Sequence, residues 1–507
     1  MHPTRATQVA LSVALCLGTV LVPRAAAAPT AGGITWGRCD AAELRKAGGQ
    51  CGMLRVPLDP AARGGRSIRL ALFRIPATAP ADNQLGPLIR LGPISLDTFN
   101  SLPVDVRARY DYVGYDPRGL GGSKPAITCG HSFFADPEPA YRPVTGPDEP
   151  PGPNERAWNA RIRTFVHACQ AGYGDLLRHF TVADHAADLD AVRQALGAEK
   201  VSLYSDTLTQ DEAKLYLTQH PEHVARVVVE APVPYGLGYG VNLQEPALDQ
   251  AAFDVFTDWL AAHNRTYGIG ATGAEVQRRY YAEERRLARH PVGRFGASEW
   301  ADVFRYVSTA APAGWLDPAK LIRAWFRGRT GPLSSFWLPP ADADVNDNNF
   351  VSYLVATYCL QGPYPRSYRQ YRADAFANAR RSPFTAWSYV PDPCRIWPYR
   401  AGAPEKVGAA SSPLSSLLGG DGVPMLILTT DARRSAALQL RALFPGARVV
   451  LVPGPTPEDS LLYTGASTCL DEAFADFLGG ATMARQAGRR VDMICAAEPL
   501  PIPKSER

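Results

Sequence analysis

The chain has 507 residues, 46% hydrophobic and 20% charged, which is enough for one large core with an inserted subdomain and too apolar for disorder on a large scale. Its formal charge is +4, and setting aside Arg5 and Arg24 with a leader reduces the 53 Lys and Arg to 51 against 49 acidic residues. With no basic run or aromatic-basic stripe, nucleic acid is a poor candidate partner.

The first 28 residues read as a secretory signal: His2 and Arg5 form a short basic start, Val9 to Val22 is apolar, and Ala25 to Ala28 suit signal peptidase. No later stretch approaches the roughly 18 unbroken apolar residues of a membrane span. A secreted, extracellular protein is therefore expected, without membrane contact after signal removal. Cys16 leaves with the signal, and the eight cysteines that remain of nine favour disulfides over metal sites in an exported chain. Proximity along the chain suggests Cys39–Cys51, Cys129–Cys169, Cys359–Cys394 and Cys469–Cys495, among the many connectivities that eight cysteines allow. No CxxC or His/Cys cluster argues for zinc, and neither a metal nor a cofactor is expected.

Short β-branched runs bounded by Gly, Pro or Asp follow: Ser67 to Ile75, Pro87 to Leu91, Asp111 to Tyr115, Lys200 to Tyr204 and Arg226 to Val229. Helical spacing lies between several of them, as in Ala183 to Leu196, where Ala187, Leu189, Val192 and Leu196 recur at helix-like spacing. Two more strands, Met425 to Leu428 and Arg448 to Val452, come only near the C-terminus. Strands alternating with helices predict an α/β class with a mostly parallel central sheet and helices on both faces. From about Leu237 to Ala403 the pattern changes to aromatic-rich helices carrying Trp259, Trp300, Trp315, Trp325, Trp337, Trp387 and Trp397. That predicts a helical cap over residues 237–403, inserted into a core of residues 29–236 and 404–507; the alternative is a satellite with its own aromatic core. The stretch from Pro137 to Pro153 reads as a surface loop.

Several segments resemble the secreted tripeptidyl and prolyl aminopeptidase-like branch of actinobacterial α/β-hydrolases. They are Trp36-Gly37-x-Cys39 with Cys51 and Val56 to Asp59; Tyr112 to Ser123 with its Asp116-Pro117-Arg118-Gly119 turn; Asp184 to Arg193; Cys394 with Trp397-Pro398; and Ser467-Thr468-Cys469. The resemblance spans nearly all of the mature chain. It implies the α/β-hydrolase fold, with an active site where the strands end beneath a cap.

At the family's reactive positions the pattern departs. In place of Gly-x-Ser-x-Gly stands Ser205-Asp206-Thr207-Leu208-Thr209, and a β-branched Thr207 resists the positive φ of a nucleophile elbow, so a relaxed turn is expected. Read without chemistry, the segment is a helix start, with Thr209-x-x-Glu212 matching a capping box. The family's acid falls near Thr429 to Arg433, with Arg433 opposite it and Asp431 two residues earlier. Its histidine falls near Pro455 to Asp459, and no histidine follows His290. The oxyanion loop, glycine-rich in the family, reads Leu91 to Asp97 and keeps only Gly92.

Three functions stay open. The reading leans to an enzyme, not a Ser-His-Asp hydrolase, performing cofactor-free addition, cyclisation or C–C bond formation of Michael type on a polycyclic polyketide or enediyne-like intermediate, within actinobacterial secondary metabolism. Asp206 or Asp97 would accept the proton, Thr207 and Ser95 would donate hydrogen bonds, Arg433 would stabilise an anion, and Leu208, Trp315 and Trp337 would contact the small molecule. The alternative is an inactive pseudo-hydrolase that binds a peptide or apolar metabolite under the cap. A lesser one is a peptidase or esterase with an unusual triad.

Overall fold

The computed structural model describes residues 33–506 except 63, 131–137, 143, 234–237, 339–345, 401, 403–421, 455–466, 485 and 487–489. The expected signal segment, the ends of the expected 237–403 cap and the Pro455 to Asp459 position lie outside the described residues. Ten strands form one sheet: β1 (Gly37–Arg38), β2 (Gln50–Pro57), β3 (Ser67–Ile75), β4 (Pro87–Arg90), β5 (Asp111–Asp116), β6 (Val201–Ser205), β7 (Val224–Glu230), β8 (Met425–Thr430), β9 (Arg448–Val452) and β10 (Met493–Ile494). Their order is β1-β2-β3-β5-β4-β6-β7-β8-β9-β10. The first three pairings are antiparallel and every pairing from β5/β4 onward is parallel. This is the α/β-hydrolase fold.

The strands expected from β-branched runs are all present, most clearly at the centre of the sheet, where both faces are covered and β6 and β8 are buried at every residue. One face packs a core that includes Leu189, Val192, Phe165 and Leu217, the other a core around Phe474, Phe477 and Leu470. The Cys39–Cys51, Cys129–Cys169, Cys359–Cys394 and Cys469–Cys495 bridges all form, which fits an oxidising extracellular setting. Among the described residues no helix is long and apolar enough to cross a membrane.

The motifs that carry the resemblance lock the core. Arg118 lies on the turn after β5, 1% exposed. Its guanidinium grips Asp188 through two 2.8 Å hydrogen bonds and also donates to the carbonyls of Leu58 and His179 at 2.9 Å. Asp184 closes a capping box with Thr181 at the head of the helix Val182–Ala195.

Between β7 and β8 the chain leaves the sheet for a run of helices beginning at Tyr239–Ala262 and ending at Tyr368–Ala379. These helices have their own aromatic core, with Trp259, Trp300, Trp315 and Trp325 buried among Phe253, Phe256 and Tyr280. The Pro-rich stretch is the loop expected from its composition, with no helix or strand over its described residues before Pro153. Its described part docks on the insertion: the Glu138 amide donates to Glu299 at 2.6 Å, the Ser298 hydroxyl donates to the Pro139 carbonyl at 2.8 Å, and Arg142 pairs with Glu284. Proline fixed the backbone there without forcing it into solvent.

Candidate functional site

Strand β4 lies between β5 and β6, so the chain order reverses at β4, and open α/β sheets bind ligands at such a switch point. The carboxyl ends of β4 and β6 present Arg90 and the turn Asp206 to Thr209. Thr207 is 7% exposed, and its hydroxyl donates to the Ala231 carbonyl at 2.8 Å. Among the described residues the only non-glycine with positive φ is Ala231, at 46°. The turn at Thr207 is thus relaxed, as its β-branched side chain requires.

In an α/β-hydrolase the amide following the nucleophile helps to form the oxyanion hole. Here that amide, Leu208 N–H, donates to Asp206 Oδ1 at 2.9 Å, and Thr209 N–H does so at 3.2 Å. The other oxygen of Asp206 pairs with Arg90 Nη2 at 2.6 Å. Gly92 leaves room for this arrangement: at φ +97° its missing Cβ would sit 2.5 Å from the Arg90 guanidinium. Across the crevice Pro93 has no N–H, and Ile94 N–H donates to Asp116 Oδ1 at 3.2 Å. A carbonyl oxygen arriving here would have to displace a carboxylate already held by its own turn and by an arginine.

Asp206 is therefore a structural ion, not the expected proton acceptor. The Thr209/Glu212 capping box is also absent: Thr209 makes no side-chain cap, and Glu212 turns into the core to accept from Tyr115 Oη at 2.5 Å. Burial pushes the Glu212 carboxyl up to about 8, the Tyr115 hydrogen bond opposing. The folded chain keeps this proton where the unfolded chain loses it near pH 4.5, so the contribution is complete below that pH and is lost as pH rises through about 8. In Glu212→Gln, urea unfolding followed from pH 5 to 9 should show a shallower fall in stability than the parent; identical slopes would contradict the assignment.

A cleft of about 740 Å³ opens between the carboxyl end of β8 and the insertion. Its lining includes Glu245, Asp249, Asp302 and Asp392, the guanidiniums of Arg305 and Arg433, and the aromatic rings of Tyr306, Trp337 and Phe350. Arg433, 4% exposed, grips Glu245 with contacts of 3.2 and 3.5 Å. It ties the core to the insertion, so its charge is committed and the expected anion-stabilising role is not what its geometry serves. Asp249 accepts from Arg305 at 3.0 Å, Thr385 at 2.7 Å and Tyr389 at 3.2 Å. Asp302 faces Tyr141 Oη at 3.3 Å, and burial holds its carboxyl up to about 7 against the pull of Arg305. Burial likewise raises Asp392 to about 6, opposed by the Cys394 amide and Asn242.

The other expected residues scatter. Trp337 lines the cleft. Trp315 does not: it is fully buried against Phe256 and Trp259, a correction that follows from the insertion needing its own core. Leu208 is 37% exposed on the β6 turn and does not appear in the cleft wall. Ser95 is half-buried after β4; Asp97 falls in the helix Leu96–Ser101, its side chain outside the described residues. Asp431, the shifted alternative to the family's acid, stands on the surface, accepting from the Gly454 amide at 3.3 Å. The cleft carboxylates were missed. Their one signal is helical spacing, Glu245 with Asp249 and Asp302 with Arg305 each one turn apart, which solvated faces share.

No protein-family model matches the chain. It is 27% identical over 515 residues to a tripeptidyl aminopeptidase of Streptomyces coelicolor, covering 94% of this chain and 89% of that protein. A tripeptidyl aminopeptidase of Streptomyces lividans is 28% identical over 458 residues, covering 84% and 81%. The serine protease Hip1 of Mycobacterium tuberculosis is 31% identical over 251 residues, covering 46% of each chain. Among solved structures, a bromoperoxidase from Bacillus anthracis covers 84% of this chain and 98% of its own at 14% identity and a TM-score of 0.32. The relatives overturn the expectation of an addition, cyclisation or C–C bond-forming enzyme of secondary metabolism: they are named for peptide hydrolysis, which favours the peptidase alternative.

Proposed function

We propose that this protein is a secreted peptide-binding member of the aminopeptidase-like α/β-hydrolases, in which the helices of residues 237–403 act as a cap and the cleft beneath them receives the free N-terminus of a peptide. The peptide class rests on the relatives named tripeptidyl aminopeptidase and serine protease. The orientation rests on charge. Four carboxylates face two guanidiniums in the cleft; Glu245 and Asp249 are matched by Arg433 and Arg305, leaving Asp302 and Asp392 to hold an ammonium group. Tyr306, Trp337 and Phe350 offer apolar surface to the residues that follow it.

The observation that carries the non-hydrolytic half is the hydrogen bond from Leu208 N–H to an Asp206 carboxylate that Arg90 also holds. Acyl transfer needs that amide for the oxyanion and an imidazole for the proton. The Thr207 hydroxyl is committed to Ala231, and no histidine follows His290. The catalytic set of the family is degenerate in this reading, and the pocket is what has been kept.

A second reading, a peptidase using an unusual triad, is favoured by the relatives' names alone. Equilibrating the protein with a mixture of peptides bearing free N-termini, then identifying retained peptides and products by mass spectrometry, separates the two. The proposal expects intact peptides to be retained. Shortened products without retention would establish the second reading, and neither retention nor products would overturn both.

A further inference from the structure

Away from the cleft, at the end of the sheet where β7 begins, the helix Gln210–Gln219 runs into His220, and the 3₁₀ turn Pro221–His223 folds a second imidazole back beside it. The two ring centroids are 6.0 Å apart and nearly parallel, at 27°. Asp190, from the helix Val182–Ala195, faces both rings: one carboxylate oxygen and one nitrogen from each imidazole all lie within 4.8 Å of one another. All three side chains are half-buried, open to ions from solvent.

Their surroundings prepare them as ligands. Asp190 accepts from Tyr216 Oη at 2.9 Å, Arg193 Nε at 2.8 Å and Gln194 Nε2 at 2.6 Å, which fixes the carboxylate plane and leaves one of its about four lone-pair directions open. His223 Nδ1 lies 3.1 Å from the Glu199 carbonyl. A carbonyl only accepts, so this contact puts the proton on Nδ1 and leaves Nε2 as a lone-pair donor, the arrangement found behind metal-bound histidines. Beside that Nε2, at 3.6 Å, is Glu222 Oε1, and Glu222 Oε2 is a buried carboxylate oxygen without a hydrogen-bond partner. The Glu222 side chain as a whole is 41% exposed, so what it brings to the cluster is negative charge beside the accepting imidazole nitrogen.

We propose that Asp190, His220 and His223 form a zinc site whose fourth position is open to water. Two imidazole nitrogens with a carboxylate oxygen suit Zn²⁺, whereas Mg²⁺ and Ca²⁺ take oxygen ligands. Tetrahedral zinc with bonds of about 2.0 Å sets its ligands about 3.4 Å apart, so the 4.8 Å spread closes by rotation of the two partly exposed imidazoles. Asp190 and Glu222 together outweigh Arg193, leaving the cluster negative before the ion arrives. The site joins two helices and the start of β7, far from the cleft, so its consequence is metal-linked stability. Composition concealed it because Asp190 belongs to a different helix from the His220-x-x-His223 pair.

The test uses the full-length secreted protein, stripped with a chelator and titrated with Zn²⁺ at pH 7.5 by calorimetry, with thermal unfolding measured alongside. One-to-one binding and a rise in Tm are expected with Zn²⁺ and not with Mg²⁺. His220→Ala and His223→Ala should each weaken binding at least tenfold and abolish the Tm rise. His220→Gln, which keeps side-chain bulk, should do the same with an unchanged circular dichroism spectrum. No Zn²⁺ binding by the parent protein, or equally tight binding by the folded His220→Gln variant, would overturn the proposal.

Discussion

Replacing Arg118 by alanine is expected to lower the unfolding free energy by roughly 3–5 kcal/mol, the usual cost of removing one partner from a buried ion pair. The cost arises from what is left behind. Asp188 would stay buried beneath the β5 turn without its two 2.8 Å hydrogen bonds, and the carbonyls of Leu58 and His179 would lose their donor. Burial already pushes the Asp188 carboxyl up and Arg118 opposes the shift, so the variant's deficit should shrink as pH falls and Asp188 takes a proton. A double variant, Arg118→Met with Asp188→Leu, should lose less than Arg118→Ala alone, because the uncompensated charge goes too. Urea denaturation of the three proteins at two pH values checks this; a double variant no more stable than Arg118→Ala, with an Arg118→Ala loss independent of pH, would contradict it.

Acetylating the N-terminus of a bound peptide should weaken its affinity by roughly 10- to 100-fold. A hydrogen bond to a charged group is worth about 1.5–3 kcal/mol, and each about 1.4 kcal/mol is tenfold in affinity. The pH dependence follows from Asp302. Its carboxyl loses its proton through about pH 7, so binding of an ammonium should strengthen as pH rises through that value. It should then weaken as the peptide's own α-amine deprotonates near about pH 8. Asp302→Asn should move the rising limb down from about pH 7 toward about pH 6, where Asp392 loses its proton, and keep the falling one. Calorimetry from pH 5.5 to 9 is the check, and an acetylated peptide that bound as tightly as the free one would remove the amine from the account.

What the sequence revealed, and what it hid, has a physical division. The runs in β6, β7 and β8 are legible because a sheet covered on both faces demands β-branched residues at consecutive positions. Strand β2 escaped notice: Gly52, Met53 and Arg55 interrupt its apolar pattern where only one face is well covered. The Thr207 turn was legible as relaxed because a β-branched residue has few backbone options. The role of Asp206 was not, since its partner Arg90 lies at the end of another strand and the pairing exists only once β4 and β6 are neighbours. Trp315 shows the limit of composition, because a tryptophan that lines a ligand cleft and one that fills a helical core read alike until the helices are packed. The cleft carboxylates and Arg433 come from the insertion and from the end of β8, segments that meet only in the fold.

The most direct test is the release of an N-terminal tripeptide. The protein at high concentration is incubated with a peptide carrying a free N-terminus, and the tripeptide is followed over time by mass spectrometry beside a Thr207→Val variant. The account predicts that the peptide is recovered intact from both proteins, because the oxyanion amide at Leu208 caps Asp206 and no imidazole follows the insertion. Time-dependent tripeptide release by the parent that disappeared in Thr207→Val would contradict it, by placing a working nucleophile on the β6 turn.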